Sequence, residues 1–274
     1  MILFRKKSDL IIRRDDLKKN KFKIGLVPTM GALHEGHMSL IKRSIKENDY
    51  TIVSIFINPT QFNNKKDYQK YPRNFKQDLS ILKKLKVDLV YLPKKDDIYN
   101  SKRKTKIKLS KTDIILCAKF RKGHFEGVID VMDRLTKAIK PYKIFMGEKD
   151  FQQLYLINRY IKKKYNSKIV SCKTIRSNNK LALSSRNIFL KKKELDIASK
   201  FTRNIFSLKK KLHVINDIEK FLINKKKELS KLFKIKVEYL ELRNKKNLKK
   251  AKKVNNSKIF FAYYINQVRL IDNF

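Results

Sequence analysis

The 274-residue chain has no tryptophan, two cysteines, five prolines and six glycines, and its 25 acids are outnumbered by 69 lysines and arginines. Each shortage excludes something. Cys117 and Cys172 lie far apart and outside any C-x-x-C pattern, so neither a disulfide framework nor a zinc site is expected, and a reducing, cytoplasmic setting fits. The longest late apolar stretch, Ile259 to Ile265, is too short to span a bilayer. MILFRKKSDL holds no apolar segment of signal-peptide length, so no membrane partner is expected.

The shortage of acids leaves a net charge of +44, which would ordinarily raise the expectation of a nucleic-acid partner. The make-up of that charge argues otherwise. Only 14 of the basic residues are arginine, leaving 55 lysines, whereas readers of bases and phosphates lean on the bidentate arginine fork. The lysines run along the whole chain in short clusters such as Lys162 to Lys164 and Lys191 to Lys193, as solvated helix faces do. No specific nucleic-acid partner is expected.

In a chain this poor in glycine, the positions of Gly25, Gly31, Gly36, Gly123, Gly127 and Gly147 carry information. Glycine permits positive φ and close backbone approach to a ligand, so the clusters point to turns that serve as sites. Three of the four histidines, His34, His37 and His124, lie in the same segments.

Around these clusters the pattern alternates. Strands are predicted over Lys23 to Val27, Tyr50 to Ile57, Val87 to Leu92 and Lys143 to Met146. Helical spacing predicts helices over His37 to Glu47, Phe75 to Leu85, Val128 to Ile139 and Phe151 to Tyr165. The fold class is α/β, a Rossmann-like doubly wound parallel sheet with ligands beyond the strand C-termini. After Ser171 a polar, linker-like stretch, Arg176 to Lys180, leads to lysine-rich helices over Lys191 to Lys211 and Asp217 to Phe233. Strands at Lys236 to Leu242, Ile259 to Ile265 and Val268 to Ile271 would then close a smaller C-terminal α+β domain. The expected division is 1–173 and 174–274.

Three short motifs share one chemistry. His34 to His37, H-x-G-H, opens a helix directly after a strand, where free backbone N–H groups and the helix dipole favour an anion and two imidazoles add donors. A helix-capping or packing histidine is the plain alternative. Gly147-Glu148-Lys149-Asp150 puts a point charge for phosphate and an acceptor for ribose hydroxyls or a hydrated Mg²⁺ at a second strand-to-helix junction, though a surface turn capped by Asp150 would read the same. Leu183-Ser184-Ser185-Arg186 offers two hydroxyls and a guanidinium in a polar, mobile-looking loop, or else a pair of capping serines. Asn58-Pro59-Thr60-Gln61-Phe62 follows the second strand, and Gln61 could read the hydroxyls and carboxylate of a small polar substrate.

PTMGALHEGHMSL, VSIFINPTQF, Tyr71-Pro72-Arg73, Gly123-His124-Phe125, GEKDFQQL, LALSSRN and RLIDN together resemble the pantothenate synthetase family of the H-x-G-H nucleotidyltransferase superfamily, in order and spacing over nearly the whole chain. The resemblance implies an ATP-dependent ligase that joins pantoate to beta-alanine through a pantoyl-adenylate, needs Mg²⁺ without direct protein ligands, and works as a homodimer. It implies that Met30, Gly31, Ala32, Leu33, His34, Glu35, Gly36 and His37 hold ATP, with His37 the proton donor. Gly147, Glu148, Lys149 and Asp150 would contact ribose and phosphate, Ile175 and Leu183 would meet adenine, and Ser184, Ser185 and Arg186 would grip phosphates. His37, His34, Lys149 and Arg186 would be catalytic, and Gln61 and Gln153 would bind pantoate and beta-alanine. Two departures stand out. Asn179-Lys180 replaces the family's Asp-Gly before the serine loop, and Lys122 and Glu126 replace a proline and an arginine around Gly123-His124-Phe125. A different adenylyl- or cytidylyltransferase, or a basic nucleic-acid-binding module, is the competing expectation.

Overall fold

The computed structural model describes residues 1–99 and 107–274, which form two compact units. The first comprises Met1–Glu148 and Gln153–Lys173; the second comprises Lys149–Gln152 and Thr174–Phe274.

The first unit is built on strands β1 (Ile2–Phe4), β2 (Ile24–Thr29), β3 (Tyr50–Ile55), β4 (Leu89–Tyr91), β5 (Lys143–Gly147) and β6 (Lys168–Cys172). They pair in the order β1-β4-β3-β2-β5-β6, every pair parallel. The central strands are apolar without alternation because both faces are covered: Ile24, Leu26, Val27, Ile52 and Val53 are all buried. Between the strands run α1 (Lys7–Lys19), α2 (Glu35–Glu47), α3 (Lys65–Lys70), α4 (Phe75–Lys84), α5 (Lys95–Tyr99), α6 (Leu116–Phe120), α7 (His124–Ile139) and α8 (Phe151–Tyr160). This is the Rossmann-like α/β arrangement that the alternation predicts. α2 packs on β2, β3 and β5, and α1 packs on α7.

Three departures from the expected elements have physical causes. α1 hides from a periodicity search because its buried stripe, Leu10, Arg14 and Leu17, carries an arginine in the middle. Arg14 is tolerated there because its guanidinium donates to the Ala138 carbonyl near the end of α7 at 2.5 Å and to Asp15. α8 stops at Tyr160, five residues short of the expected end, and the chain then turns so that Lys164 Nζ and the Tyr165 hydroxyl both reach the buried Asp133 carboxylate, at 2.6 and 2.9 Å. β6 was not expected, and KIVSC is short enough to be lost beside the polar run that follows.

Glycine position also needs correcting. Gly25 lies inside β2 and Gly127 inside α7, not at turns. A Cβ on Gly25 would stand 2.3 Å from Ser44 Oγ, and one on Gly127 would stand 2.4 Å from the Thr60 carbonyl oxygen, so both glycines serve close packing.

In the second unit α9 (Lys192–Lys211) and α10 (Ile218–Leu232) accompany an antiparallel meander of β7 (Lys236–Asn244), β8 (Ser257–Ile265) and β9 (Val268–Asn273). Its core is aliphatic around an aromatic cluster of Phe201, Phe261, Tyr263 and Phe274. Phe201 of α9 meets Tyr263 at 4.5 Å between centroids and Phe261 edge-on at 5.9 Å, geometries worth about 0.5–1.5 kcal/mol each beyond burial. The stretch Arg176 to Lys180 is not a linker. Arg176 bridges Ala182 across a tight turn in which Lys180 N–H donates to the Ser177 carbonyl at 2.9 Å and Ser177 N–H to the Leu181 carbonyl at 2.8 Å.

Candidate active site

Chain order and sheet order together locate the site. From β2 the chain steps outward through β3 to β4, and it later returns to the other side of β2 with β5. The winding therefore reverses between β2 and β5, the position at which open α/β sheets hold ligands. The two strands are parallel with Leu26 opposite Ile144, and each runs three residues further, to Thr29 and Gly147. The glycine turn before H-x-G-H and the Gly147 turn thus leave the sheet side by side.

The first turn is held from within and from afar. Thr29 Oγ1 donates to the Ser54 carbonyl at 2.9 Å and accepts the Gly31 N–H at 3.2 Å. Gly31 takes φ +80° and Ala32 φ +49°, a left-handed pair that an alanine occupies only under restraint. The restraint is Asp78 on α4, whose carboxylate accepts the N–H of Ala32 at 3.0 Å and of Leu33 at 2.8 Å. Asp78 is 1% exposed. Burial pushes its carboxyl pKa up, against the pull of those two N–H groups. A Cβ on Gly31 would come within 2.9 Å of Asp78 Oδ2. Sequence reasoning missed Asp78, yet there was a signal: it sits on the apolar stripe of α4, three residues after Phe75 and four before the buried Leu82.

At the mouth of this turn the two histidines cap α2 with their own rings. His34 is the N-cap residue and its Nδ1 accepts the Gly36 N–H at 3.1 Å, while His37 Nδ1 accepts the His34 N–H at 3.4 Å. The reciprocal pattern is that of a capping box with imidazoles in place of hydroxyl and carboxylate. Because each Nδ1 spends its lone pair on a backbone donor, a neutral ring carries its proton on Nε2. The rings lie 4.1 Å apart between centroids. Gly36 has a steric reason, since a Cβ there would meet His34 Cε1 at 2.7 Å. Capping and anion donation are thus not alternatives, because Nδ1 caps and Nε2 is the nitrogen able to donate.

Gln61 lies beside this turn. Its Nε2 donates to Met30 Sδ at 2.9 Å and its Oε1 accepts from Asn58 Nδ2 at 3.2 Å. Asn58, 1% exposed, organises the whole NPTQ turn. It donates to the Gly127 carbonyl at 3.0 Å and accepts the Tyr99 hydroxyl at 2.6 Å and the Thr60 hydroxyl at 3.0 Å. Burial raises the Tyr99 pKa to about 12, so the phenol remains a donor. His124 Nδ1 lies 2.7 Å from the Gln61 carbonyl and its Nε2 2.8 Å from Arg121. Asn58 and His124 were not assigned roles from sequence; Asn58 touches the Gln61 side chain and His124 its backbone carbonyl.

After β5, Gly147 has nothing within 4 Å of where a Cβ would stand, so no neighbour demands a glycine there. Glu148 turns toward β6, where its carboxylate accepts the Ser171 hydroxyl at 2.8 Å, and Gln153 is half-buried on α8. Glu35, in the first turn of α2, is exposed. In the second unit Lys149 Nζ stands 3.7 Å from Asp150 Oδ1. Leu183 N–H donates to the Ile175 carbonyl at 3.0 Å, which pairs the two residues expected to meet adenine. Ser184 caps a 3-10 turn, Ser185–Phe189, by accepting the Arg186 N–H at 3.3 Å; Ser185 is buried and Arg186 half-buried.

A family model described as Pantoate-beta-alanine ligase matches residues 3–274. The chain belongs to the pantoate-beta-alanine ligase family. It is 43% identical over 271 residues to the pantothenate synthetase of Francisella tularensis subsp. novicida (strain U112), covering 96% of this chain and 92% of that one. Its structure is similar to the crystal structure of pantothenate synthetase from Thermus thermophilus, with a TM-score of 0.91 at 28% identity over 100% of this chain and 99% of that one. It is also similar to the pantoate-beta-alanine ligase from Francisella tularensis solved with beta-gamma ATP and beta-alanine. There the TM-score is 0.85 at 40% identity, over 100% of this chain and 97% of that one.

The departures from the pantoate-beta-alanine ligase pattern now have geometry. Lys180, where the family's glycine is expected, keeps a glycine-like φ of +68°. Its carbonyl accepts Arg176 at 2.9 Å, one restraint that holds it there. Glu126 falls in the first turn of α7, where a negative charge favours the helix N-terminus, and Gly123 before it takes φ +81°.

Proposed function

We propose that this chain condenses pantoate with beta-alanine at the expense of ATP, through a pantoyl-adenylate, releasing AMP and pyrophosphate. The observation that carries the reading is the pair of capping histidines at the end of β2, beside the reversal of the sheet, on a chain belonging to the pantoate-beta-alanine ligase family. In the first step the pantoate carboxylate attacks the α-phosphorus and pyrophosphate leaves; in the second the amine of beta-alanine displaces AMP. His34 and His37 present Nε2–H donors at the N-terminus of α2, where charge on the phosphates is stabilised without covalent attack. His37 donates to the leaving oxygens. Gln61, oriented by Asn58, binds pantoate with Gln153. Residues Met30 to His37, with Gly147 and Glu148, hold the nucleotide in the 1–173 domain. Lys149, Asp150, Ile175, Leu183, Ser184, Ser185 and Arg186, in the turn at 149–150 and the 174–274 domain, are its further contacts.

Among the described residues no group of three or more His, Cys, Asp or Glu side chains is placed to hold a metal ion. Mg²⁺ fits this chain as a partner of the ATP phosphates, with Asp150 as the carboxylate able to meet its water shell. When bound it neutralises phosphate charge. The working form is a homodimer in the cytoplasm, a reading supported by the family resemblance; no described helix is long and apolar enough to cross a membrane.

Pantoate-dependent exchange of radioactive pyrophosphate into ATP tests the assignment. Exchange that needs pantoate, and a fall of roughly 10²–10³-fold in His37→Ala, are expected. Exchange with another acid but not with pantoate would sink the substrate assignment, and a normal rate in His37→Ala would remove the role of that ring.

A further inference from the structure

RLIDN, Arg269 to Asn273, is a family-like string to which the functional reading gives no chemistry. Its beginning is structural: Arg269 pairs with the Glu238 carboxylate, Nε to Oε2 at 3.2 Å, and Leu270 is buried. Its end is different. Asn273 Nδ2 donates to the backbone carbonyl of Lys149 at 2.9 Å, across 124 positions of sequence. The Asn273 N–H in turn donates to Asp272 Oδ1 at 2.8 Å. Asp272 takes both terminal nitrogens of Arg176, at 2.5 and 2.9 Å, and the same guanidinium reaches the Asn273 carbonyl at 3.1 Å and lies 4.3 Å over the Phe274 ring. Asp272 and Asn273 are 5% and 2% exposed. Burial raises the Asp272 pKa, and Arg176, with Lys149 behind it, opposes that rise.

This is a bracket with two arms, buried at Asp272 and Asn273 and partly exposed at Arg176. One arm ends on the Lys149 main chain. The other ends on Arg176, which lies between Ile175 and the turn that returns as Leu183-Ser184-Ser185-Arg186. Lysine has a long flexible stem, so an ammonium is held at a phosphate cheaply only if its own backbone is fixed. Lys149 sits in a three-residue 3-10 turn, Glu148–Asp150, too short to fix itself.

We propose that Asn273 is a positioning residue for adenylation, holding the Lys149 backbone so that its ammonium meets the nucleotide phosphates, with the Asp272–Arg176 pair bracing it. The inference rests on the reading of Lys149 as a phosphate contact. The position requires a neutral donor. An aspartate at 273 would turn an oxygen toward the Lys149 carbonyl and add a second negative charge beside Asp272.

Pantoate-dependent pyrophosphate exchange, with KM and kcat for ATP and pantoate and a melting curve for each variant, tests it. Asn273→Asp is expected to raise the ATP KM tenfold or more while leaving the pantoate KM within twofold. Asn273→Ser, which keeps a donor on a shorter arm, should fall between and serves where the aspartate variant does not fold. In a Lys149→Ala background, itself raised in ATP KM, Asn273→Asp or Asn273→Ser should add less than twofold. Arg269→Gln, on the same strand, should lower the melting temperature with ATP KM within twofold. If Lys149→Ala raises the ATP KM but neither Asn273 variant does, the positioning role is wrong. It is also wrong if the Asn273 effect persists without the lysine, or if Arg269→Gln mimics it. A silent Lys149→Ala would show instead that the lysine reading has failed, and the proposal would fall with it.

Discussion

Asp78 accepts the backbone N–H of Ala32 from 46 positions along the chain, and in doing so holds an alanine at φ +49° beside the H-x-G-H helix. The same carboxylate takes the next N–H, of Leu33. Asp78→Ala should therefore leave two inward-facing donors without this acceptor. A loss of about 3 kcal/mol in urea unfolding is expected, with a higher ATP KM because the turn relaxes. Asp78→Asn keeps the shape but offers one acceptor where two N–H groups need one each, and should lie between. Unchanged ATP KM in both variants would show that the turn does not depend on this clamp.

The two ring nitrogens of His34 are separable, since Nδ1 caps α2 while Nε2 is the nitrogen able to donate. Asparagine is among the best N-cap residues but has no imidazole. His34→Asn is expected to melt as the native protein does yet lose roughly 10²-fold or more in pyrophosphate exchange. His34→Ala should lose both, with about 1 kcal/mol of stability. A cap-only role predicts full activity in His34→Asn.

Lys180 holds a left-handed backbone that costs a side-chain-bearing residue about 1–2 kcal/mol. Lys180→Gly should stabilise the protein by roughly 1 kcal/mol after the entropy of a freer unfolded chain is counted. Equilibrium unfolding in urea measures it. A destabilised glycine variant would mean that the lysine side chain contributes more than its backbone strain.

Glu47 ties the end of α2 to β5, with Lys143 at 2.8 Å and Arg43 at 2.7 Å. The Lys143 hydrogen bond, then that of Arg43, holds its pKa below the ordinary 4.5. The unfolded chain therefore binds this proton at higher pH than the folded one. The stabilisation is fully present above pH 4.5 and disappears as pH falls through the depressed folded value. The cluster is partly exposed, so its size is within about 1 kcal/mol. Glu47→Gln should lower stability at pH 7 and converge with the native protein in acid; parallel stability curves would contradict it.

The α/β class and most strands and helices were legible because both are written in short-range period. Val128, Val131, Leu135 and Ile139 fall on one buried face of α7, and the central strands are continuous apolar runs. α1 was not legible, because the middle of its buried face is Arg14, whose fitness depends on a carbonyl near the end of α7.

The same division runs through the site. Strand, glycine turn and helix N-terminus are local, so the sequence alone singled out His34 and His37 at a helix N-terminus after a glycine turn, and the spacing of the other motifs carried the resemblance to one ligase family. Only the tertiary structure decided which glycines serve packing, that each imidazole spends Nδ1 on a cap, that Asp78 clamps the turn, and that Asn273 reaches Lys149. Those are single hydrogen bonds and contacts between groups tens of residues apart or within one turn's geometry. They bury polar atoms that must find partners in three dimensions, and they repeat with no period that a sequence could display.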